Sequence, residues 1–344
     1  MKKTVVGALY LAPCPCTLPI VGMKEKNVHD MERIVKGCLE TAPCDLDVRY
    51  GEPMADHCTF KVGGPADCLL RPSGEGFLAF VAALFAYAQA EGVPVFVLGG
   101  GANIVIADSG LRGIVLDTGG WTGEAARWDE GLRFLSGTSL DDAAEVAARA
   151  GLSGLEFLAG MPGSIGGAIW MNARCYGREI SDALAKVEGL DFSGAFPEPF
   201  ILPADPAEFG YKRSPFQDRK ALILSASFRL APKDAGEIRA ETDGYRRDRR
   251  DKGHYRFPSA GSVFKNNPAF GGPSGKIIDD LGLRGLRIGG AQVAPWHGNI
   301  IVNTGDATAA DIRALTEELA ARVRAATGFE LEPEILFVPR GDGF

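Results

Sequence analysis

The stretch Val93–Gly110, VPVFVLGGGANIVIADSG, constrains this chain more than any other. Val95 to Leu98 is a short β-branched and apolar run, the pattern of a buried strand. It ends in Gly99, Gly100 and Gly101; Ala102 and Asn103 then lead into a second apolar run, Ile104 to Ile106. Glycines let the backbone take φ > 0 and bring its N–H groups to a ligand with no Cβ in the way. Such a nest of amides suits a diphosphate. Neither the Rossmann nor the P-loop fingerprint is met, and a strand rather than a helix leaves the turn. A bland tight turn would be an equal reading were it not for a second glycine-rich stretch, GMPGSIGG, which carries Gly160, Met161, Pro162, Gly163, Ser164, Gly166 and Gly167. Two such cradles, each fed by apolar elements, favour an extended cofactor over a glycine-tolerant packing.

Composition narrows the class. The chain has 344 residues, enough for two or three domains, and 46% are hydrophobic against 24% charged, as in a globular protein. A net charge of −7 argues against nucleic acid as a partner. Seven cysteines show neither C-x-x-C pairs nor Cys/His metal spacing, so reduced thiols in the cytoplasm are expected and no metal site. No apolar run is long enough to span a membrane. The first 22 residues, with two lysines and a short apolar segment before Cys14, look like a weak leader; an upstream extension with Met23 as an alternative start is the preferred reading.

In chain order, a helix is expected around Met31–Leu39, strands at Thr59–Val62 and Ala66–Leu70, a helix over Gly76–Ala90, and then the Val95 strand. This βαβ-like unit gathers its loop glycines at one end of the strands, a usual place for a ligand. Leu111–Thr118 reads as a strand, and Arg133–Ser136 leads into the next helix. Ser139 caps a helix that Gly151 stops. Residues 187–230 alternate strand and turn, and Ala231-Pro232-Lys233 looks like a boundary. The arginine-rich run Arg246–Arg256 reads first as a solvated helix, second as a landing site for a phosphorylated ligand. PSAGSVFKNN brings Ser262, Lys265 and Asn266 to a turn, with no GxSxG elbow around the serine. Strands at Gln292–Ala294 and Asn299–Val302 flank a turn with His297. Thr308 caps a helix with Ile312, Leu315, Leu319 and Val323 on one face. Glu334 stands beside Pro333, where a strand begins.

Taken in series, TFKVGGPAD, VLGGGANIVIAD, GLEFLAGMPGSIGGAIWMNA, YKRSPF, PSAGSVFKN, GLRGLRIGGAQV, HGNIIVN and LEPEI resemble the UDP-N-acetylenolpyruvoylglucosamine reductases. The match runs from about Thr59 to Phe337, and the direct approach to PSAGSVFK, without a tyrosine-bearing insertion, is similar to the family's shorter subtype. The resemblance implies an α+β chain: a two-subdomain FAD-binding fold of the vanillyl-alcohol oxidase type, then an α/β substrate-binding domain. The divisions expected are an N-terminal extension (1–45), FAD-binding subdomains (46–110 and 111–231), a substrate-binding domain (232–326) and a C-terminal strand segment (327–344). Non-covalent FAD would lie between Gly99–Ile104 and Gly160–Gly167. NADPH would reduce it, and UDP-N-acetylglucosamine enolpyruvate would then take hydride at C3 and a proton at C2. The family's serine falls on Ser262 as proton donor and its LEPE glutamate on Glu334. Tyr211, Lys265, Asn266, Arg284, Gln292, His297 and Asn299 are the candidate substrate contacts, the partner is that sugar nucleotide alone, and a cytoplasmic monomer is expected.

Two departures matter. The arginine that follows tyrosine in the family's YRxSxF motif is here Lys212, with Arg213 one place late. Lysine keeps the charge but loses the bidentate fork, and on a strand Arg213 would face the other way. The usual NAGAYG reads Asn172-Ala173-Arg174-Cys175-Tyr176-Gly177, which puts Arg174 near the flavin. Lys212 is therefore expected to supply the catalytic charge with Arg174 as an auxiliary. The alternative is a non-catalytic or differently specific flavoprotein of the same fold.

Overall fold

The computed structural model describes residues 28–194 and 196–339; the leader-like segment and Met23 lie outside them. The first helix, α1 (Val28–Thr41), buries Met31, Ile34, Val35 and Cys38, a stripe at helical spacing. Each large apolar side chain buried this way stabilises by ~1.5–3 kcal/mol. The stripe meets α2 (Phe77–Glu91), so α1, expected within an extension, shares the core of the first subdomain. Its sheet has β1 (Asp45–Pro53), β2 (Pro65–Ser73), β3 (Val95–Leu98) and, after the separate β4 (Ile104–Ile106), β5 (Leu111–Asp117), in the order β1-β2-β5-β3. The β1–β2 pair is antiparallel, while β5 runs parallel to both β2 and β3.

Thr59–Val62 is not a strand. It is a turn after the 3-10 helix Met54–His57, with Lys61 at φ 56°. Its carbonyls find a side chain instead of a ladder, because Asn303 Nδ2 donates to Phe60 O at 3.0 Å.

The second subdomain begins with β6 (Ala126–Trp128), β7 (Gly131–Leu135) and α3 (Leu140–Arg149), which Ser139 caps by accepting the Asp142 N–H at 3.0 Å. Then come β8 (Leu152–Ser153), α4 (Ile165–Met171) and the ladder β9 (Arg174–Cys175) with β10 (Arg178–Glu179). Next are β11 (Leu184–Asp191), β12 (Glu198–Pro203), β13 (Ala221–Arg229) and β14 (Ala231–Pro232), the last paired with β8. An antiparallel sheet in the order β12-β11-β13-β7-β6 holds this unit together.

The helix α5 (Ala235–Asp251) carries most of the arginine-rich run, and it packs on α3 rather than on the C-terminal domain. Arg246 lies 2.9 Å from Asp141 and 3.3 Å from Glu145, and Arg249 is buried. These two arginines serve the fold, and α5, expected in the substrate-binding domain, packs on the second subdomain.

The C-terminal domain has α6 (Ser274–Asp280), a small antiparallel sheet of β15 (Arg287–Ile288), β16 (Ala291–Val293) and β17 (Ile301–Asn303), and α7 (Ala309–Thr327). Ile312, Leu315, Leu319 and Val323 of α7 are all buried. The chain then returns to the first subdomain. The strand β18 (Leu336–Val338) pairs parallel with β4, Leu336 opposite Ile104 and Val338 opposite Ile106. One apolar cluster spans both units, with Phe60, Leu98 and Val105 from one and Val263, Phe264 and Ile312 from the other.

Candidate active site

The two glycine stretches touch each other. A Cβ on Gly100 would lie 2.6 Å from Gly163 Cα, and one on Gly101, at φ 60°, would lie 2.0 Å from the His57 carbonyl oxygen. The loops meet at this contact, and a cavity of about 360 Å³ opens along their joined edge. Of the expected residues, Gly99, Gly100, Gly163 and Ser164 line this cavity. The others shape the backbone. The Ala102 carbonyl takes the Thr59 hydroxyl at 3.4 Å; Ile104 is paired in β4. Asn103 Nδ2 donates to the Glu334 carbonyl at 3.0 Å. The Gly160 N–H donates to Asp141 at 2.7 Å and its carbonyl takes Arg249 Nε and the Tyr255 hydroxyl. Met161 packs into the second core, Pro162 is exposed, the Gly166 N–H binds Ser136 O at 2.9 Å, and the Gly167 N–H reaches Ser164 Oγ at 3.4 Å.

Arg71 and Asp117 of the lining carried no sequence signal as a pair, because they meet only across strands. Arg71 on β2 holds Asp117 at the end of β5 with two hydrogen bonds, 2.8 and 2.6 Å, and both face the cavity. His57, also in the wall, shares a 2.8 Å hydrogen bond with Glu52. Gly137 in the lining is flanked by Ser136 and Thr138, whose buried hydroxyls have no partner among the described residues. Glycine edges and an arginine in the wall fit a dinucleotide.

A second centre forms where the C-terminal segments cross. The Glu334 N–H donates to Val263 O at 2.7 Å, and Ser262 bridges to Ile300, so the serine and the glutamate stand on adjoining strands of backbone. The Glu334 side chain is 10% exposed, and Lys212 Nζ is 2.6 Å from its Oε1. Burial pushes the Glu334 carboxyl above its usual range, while Lys212 and then Lys265 draw it back.

Lys212 is not on a strand. Gly210 and Arg213 exchange N–H···O bonds of 3.0 Å each way, closing a hairpin turn over Tyr211 and Lys212, with Lys212 at φ 57°. The turn sends Lys212 inward. Arg213 points away, 73% exposed and 3.6 Å from Asp218, so it does not take the place of the family's arginine. The Tyr211 hydroxyl accepts the Asn266 N–H at 3.2 Å, and the Arg174 guanidinium lies 5.4 Å from the Tyr211 ring centre. Arg174 thus reaches the hairpin and not Glu334.

The remaining candidates divide. Lys265 is 2.5 Å from Glu332, Asn266 Oδ1 accepts the Ser274 N–H at 3.0 Å, and Arg284 pairs with Asp279. Gln292 donates to Gly285 O at 3.1 Å, and His297 accepts the Asn299 N–H at 3.1 Å. Burial lowers the pKa of His297, favouring the neutral ring. Asn299, expected as a substrate contact, is buried with its amide committed to Phe264: it accepts that N–H at 2.9 Å and donates to that carbonyl at 2.8 Å. It braces the Ser262 segment.

Residues 253–338 match the family model described as UDP-N-acetylenolpyruvoylglucosamine reductase, C-terminal domain, and residues 78–195 match an FAD binding domain. A UDP-N-acetylenolpyruvoylglucosamine reductase of Treponema denticola is 40% identical, over 84% of this chain and 93% of its own. The chain belongs to the UDP-N-acetylenolpyruvoylglucosamine reductase family. The reductase of the same name from a Synechococcus species is also 40% identical, over 82% of this chain and 90% of its own. The crystal structure of the Thermus caldophilus reductase superposes with a TM-score of 0.68 at 32% identity, covering 86% of this chain and all of that one. Membership makes this protein a flavin-dependent reductase. The C-terminal match begins just after α5, where the packing also divides the chain.

Proposed function

We propose that the protein reduces the enolpyruvyl group of UDP-N-acetylglucosamine enolpyruvate with electrons from NADPH, giving UDP-N-acetylmuramate, a peptidoglycan precursor. The observation that carries this is the meeting of the Ser262 segment, Glu334 and Lys212, with Asn103 at the end of the first glycine turn bound to the Glu334 carbonyl. Gly99, Gly100, Gly163 and Ser164, with Arg71 in the same wall, would hold non-covalent FAD, which would supply the hydride. Addition at C3 drives negative charge onto C2 and the substrate carboxylate. Lys212 is the cation preorganised for that charge, and Ser262 is the proton donor to C2, within reach once substrate is seated. Glu334, whose carboxyl burial raises above its usual range while Lys212 draws it back, stabilises the enol by hydrogen bonding. Tyr211 and Asn266 close over the substrate from opposite domains. The same reading makes the enzyme a cytoplasmic monomer serving cell-wall synthesis, with neither nucleic acid nor membrane as partner.

The test is optical. The purified protein should be yellow, bleach on NADPH, and regain its colour when the enolpyruvyl sugar nucleotide is added. Bleaching without recolouring by that substrate would overturn the assignment and leave a flavoprotein of other specificity.

A further inference from the structure

Glu179 has no place in the chemistry above, yet its side chain is only 19% exposed and both of its oxygens are engaged. Oε2 accepts Asn172 Nδ2 at 2.8 Å, and the same Nδ2 donates to the Gly210 carbonyl at 2.8 Å. Gly210 is the base of the hairpin that turns Lys212 inward. Oε1 accepts Arg174 at 3.1 Å, and Arg174 covers the ring of Tyr211, the other residue of the turn. Glu179 is itself fixed, because its N–H donates to Asp182 at 2.8 Å. Asn172 is fully buried at φ 45°, a conformation that a short amide side chain tolerates. One carboxylate thus grips the hairpin at its root and at its tip.

We infer that Glu179 is a positioning residue of the reductase, which acts through Asn172 and Arg174 to hold the Tyr211–Lys212 turn so that Lys212 meets Glu334. This rests on the function proposed above. The turn needs such a brace: Lys212 sits in the left-handed region, which lysine adopts at a cost, and a two-residue loop has few bonds of its own. A shift of about 1 Å in a preorganised group costs ~10²-fold in rate.

The experiment uses the flavin-loaded full chain with Glu179→Ala, Lys212→Ala and the double variant. Glu179→Ala should lower kcat about 10²-fold in the native background and leave Lys212→Ala unchanged, because its effect passes through Lys212. Equal losses in both backgrounds would overturn the inference. A second reading needs no turnover: the Glu334 carboxyl, titrated by ¹³C NMR and assigned by its loss in Glu334→Gln, should have its pKa raised in Glu179→Ala as in Lys212→Ala. An unmoved titration would overturn the inference. If Glu179→Ala does not fold, Glu179→Gln keeps the shape with one acceptor and should give an intermediate result in both measurements; native behaviour in both would overturn it. If the unaltered protein fails to turn over the sugar nucleotide, the proposed function falls, and the Glu334 titration still decides the role of Glu179.

Discussion

At the scale of single residues, the proposed site places a lysine where the family carries an arginine. Lys212 meets one oxygen of Glu334 as a point charge, and the second oxygen has no fork to receive it. Lys212→Ala should reduce turnover by ~10²–10³-fold, the size expected of an electrostatic stabiliser, whereas Arg213→Ala, at an exposed pair, should leave turnover unchanged. Steady-state rates of the two variants check this. Glu334 also makes a pH prediction. Its folded pKa lies above the unfolded value, so the folded state binds the proton more tightly. Its contribution to stability is therefore full below the unfolded carboxyl range and is lost as pH rises through the raised value. Glu334→Gln should remove that downward slope when urea midpoints are compared across mildly acidic to neutral pH.

Elements bring those residues together through braces more than through ladders. The Ser262 segment makes isolated bridges to Ile300 and, at Phe264, to Pro333, and the Asn299 amide binds both backbone groups of Phe264. Asn299→Ala leaves the buried Phe264 N–H without that partner, at a cost of about 1–3 kcal/mol. The urea midpoint should fall accordingly, and kcat should fall with it as the serine loosens. The helix α5 shows the opposite economy. Its arginines read first as a solvated face and second as a phosphate site, yet Arg246 and Arg249 face acidic or carbonyl groups of α3 and the Gly160 loop. Charge patterning in a sequence cannot reveal that, because the partners are on another element.

The whole molecule is closed by its last described strand. β18 lies along β4, and Leu331, Ile335 and Val338 are buried in the cluster that joins the first subdomain to the C-terminal domain. A chain ended at residue 330 loses the Glu334 carboxylate and that seam together. Each of the three side chains removed forfeits ~1.5–3 kcal/mol of burial. The truncated protein should show a lowered thermal midpoint by circular dichroism and should not retain flavin.

Local pattern by itself determined much of this protein. The amphipathic helices α1, α3 and α7, the strands β3, β4 and β5, the capping serine and threonine, and the two glycine bends follow from periodicity and turn chemistry, which act over a few neighbours. The motif series made the family legible as well, and it singled out Ser262 and Glu334, which stand on adjoining strands of backbone. Tertiary structure alone decided that the glycine bends touch, that Arg71 and Asp117 share the cavity wall, that Asn299 is a brace, and that a left-handed turn aims Lys212 rather than Arg213 at Glu334. Each of these depends on which distant backbone groups come to lie side by side. A one-dimensional pattern records a residue's own preferences but not the partner that folding brings to it.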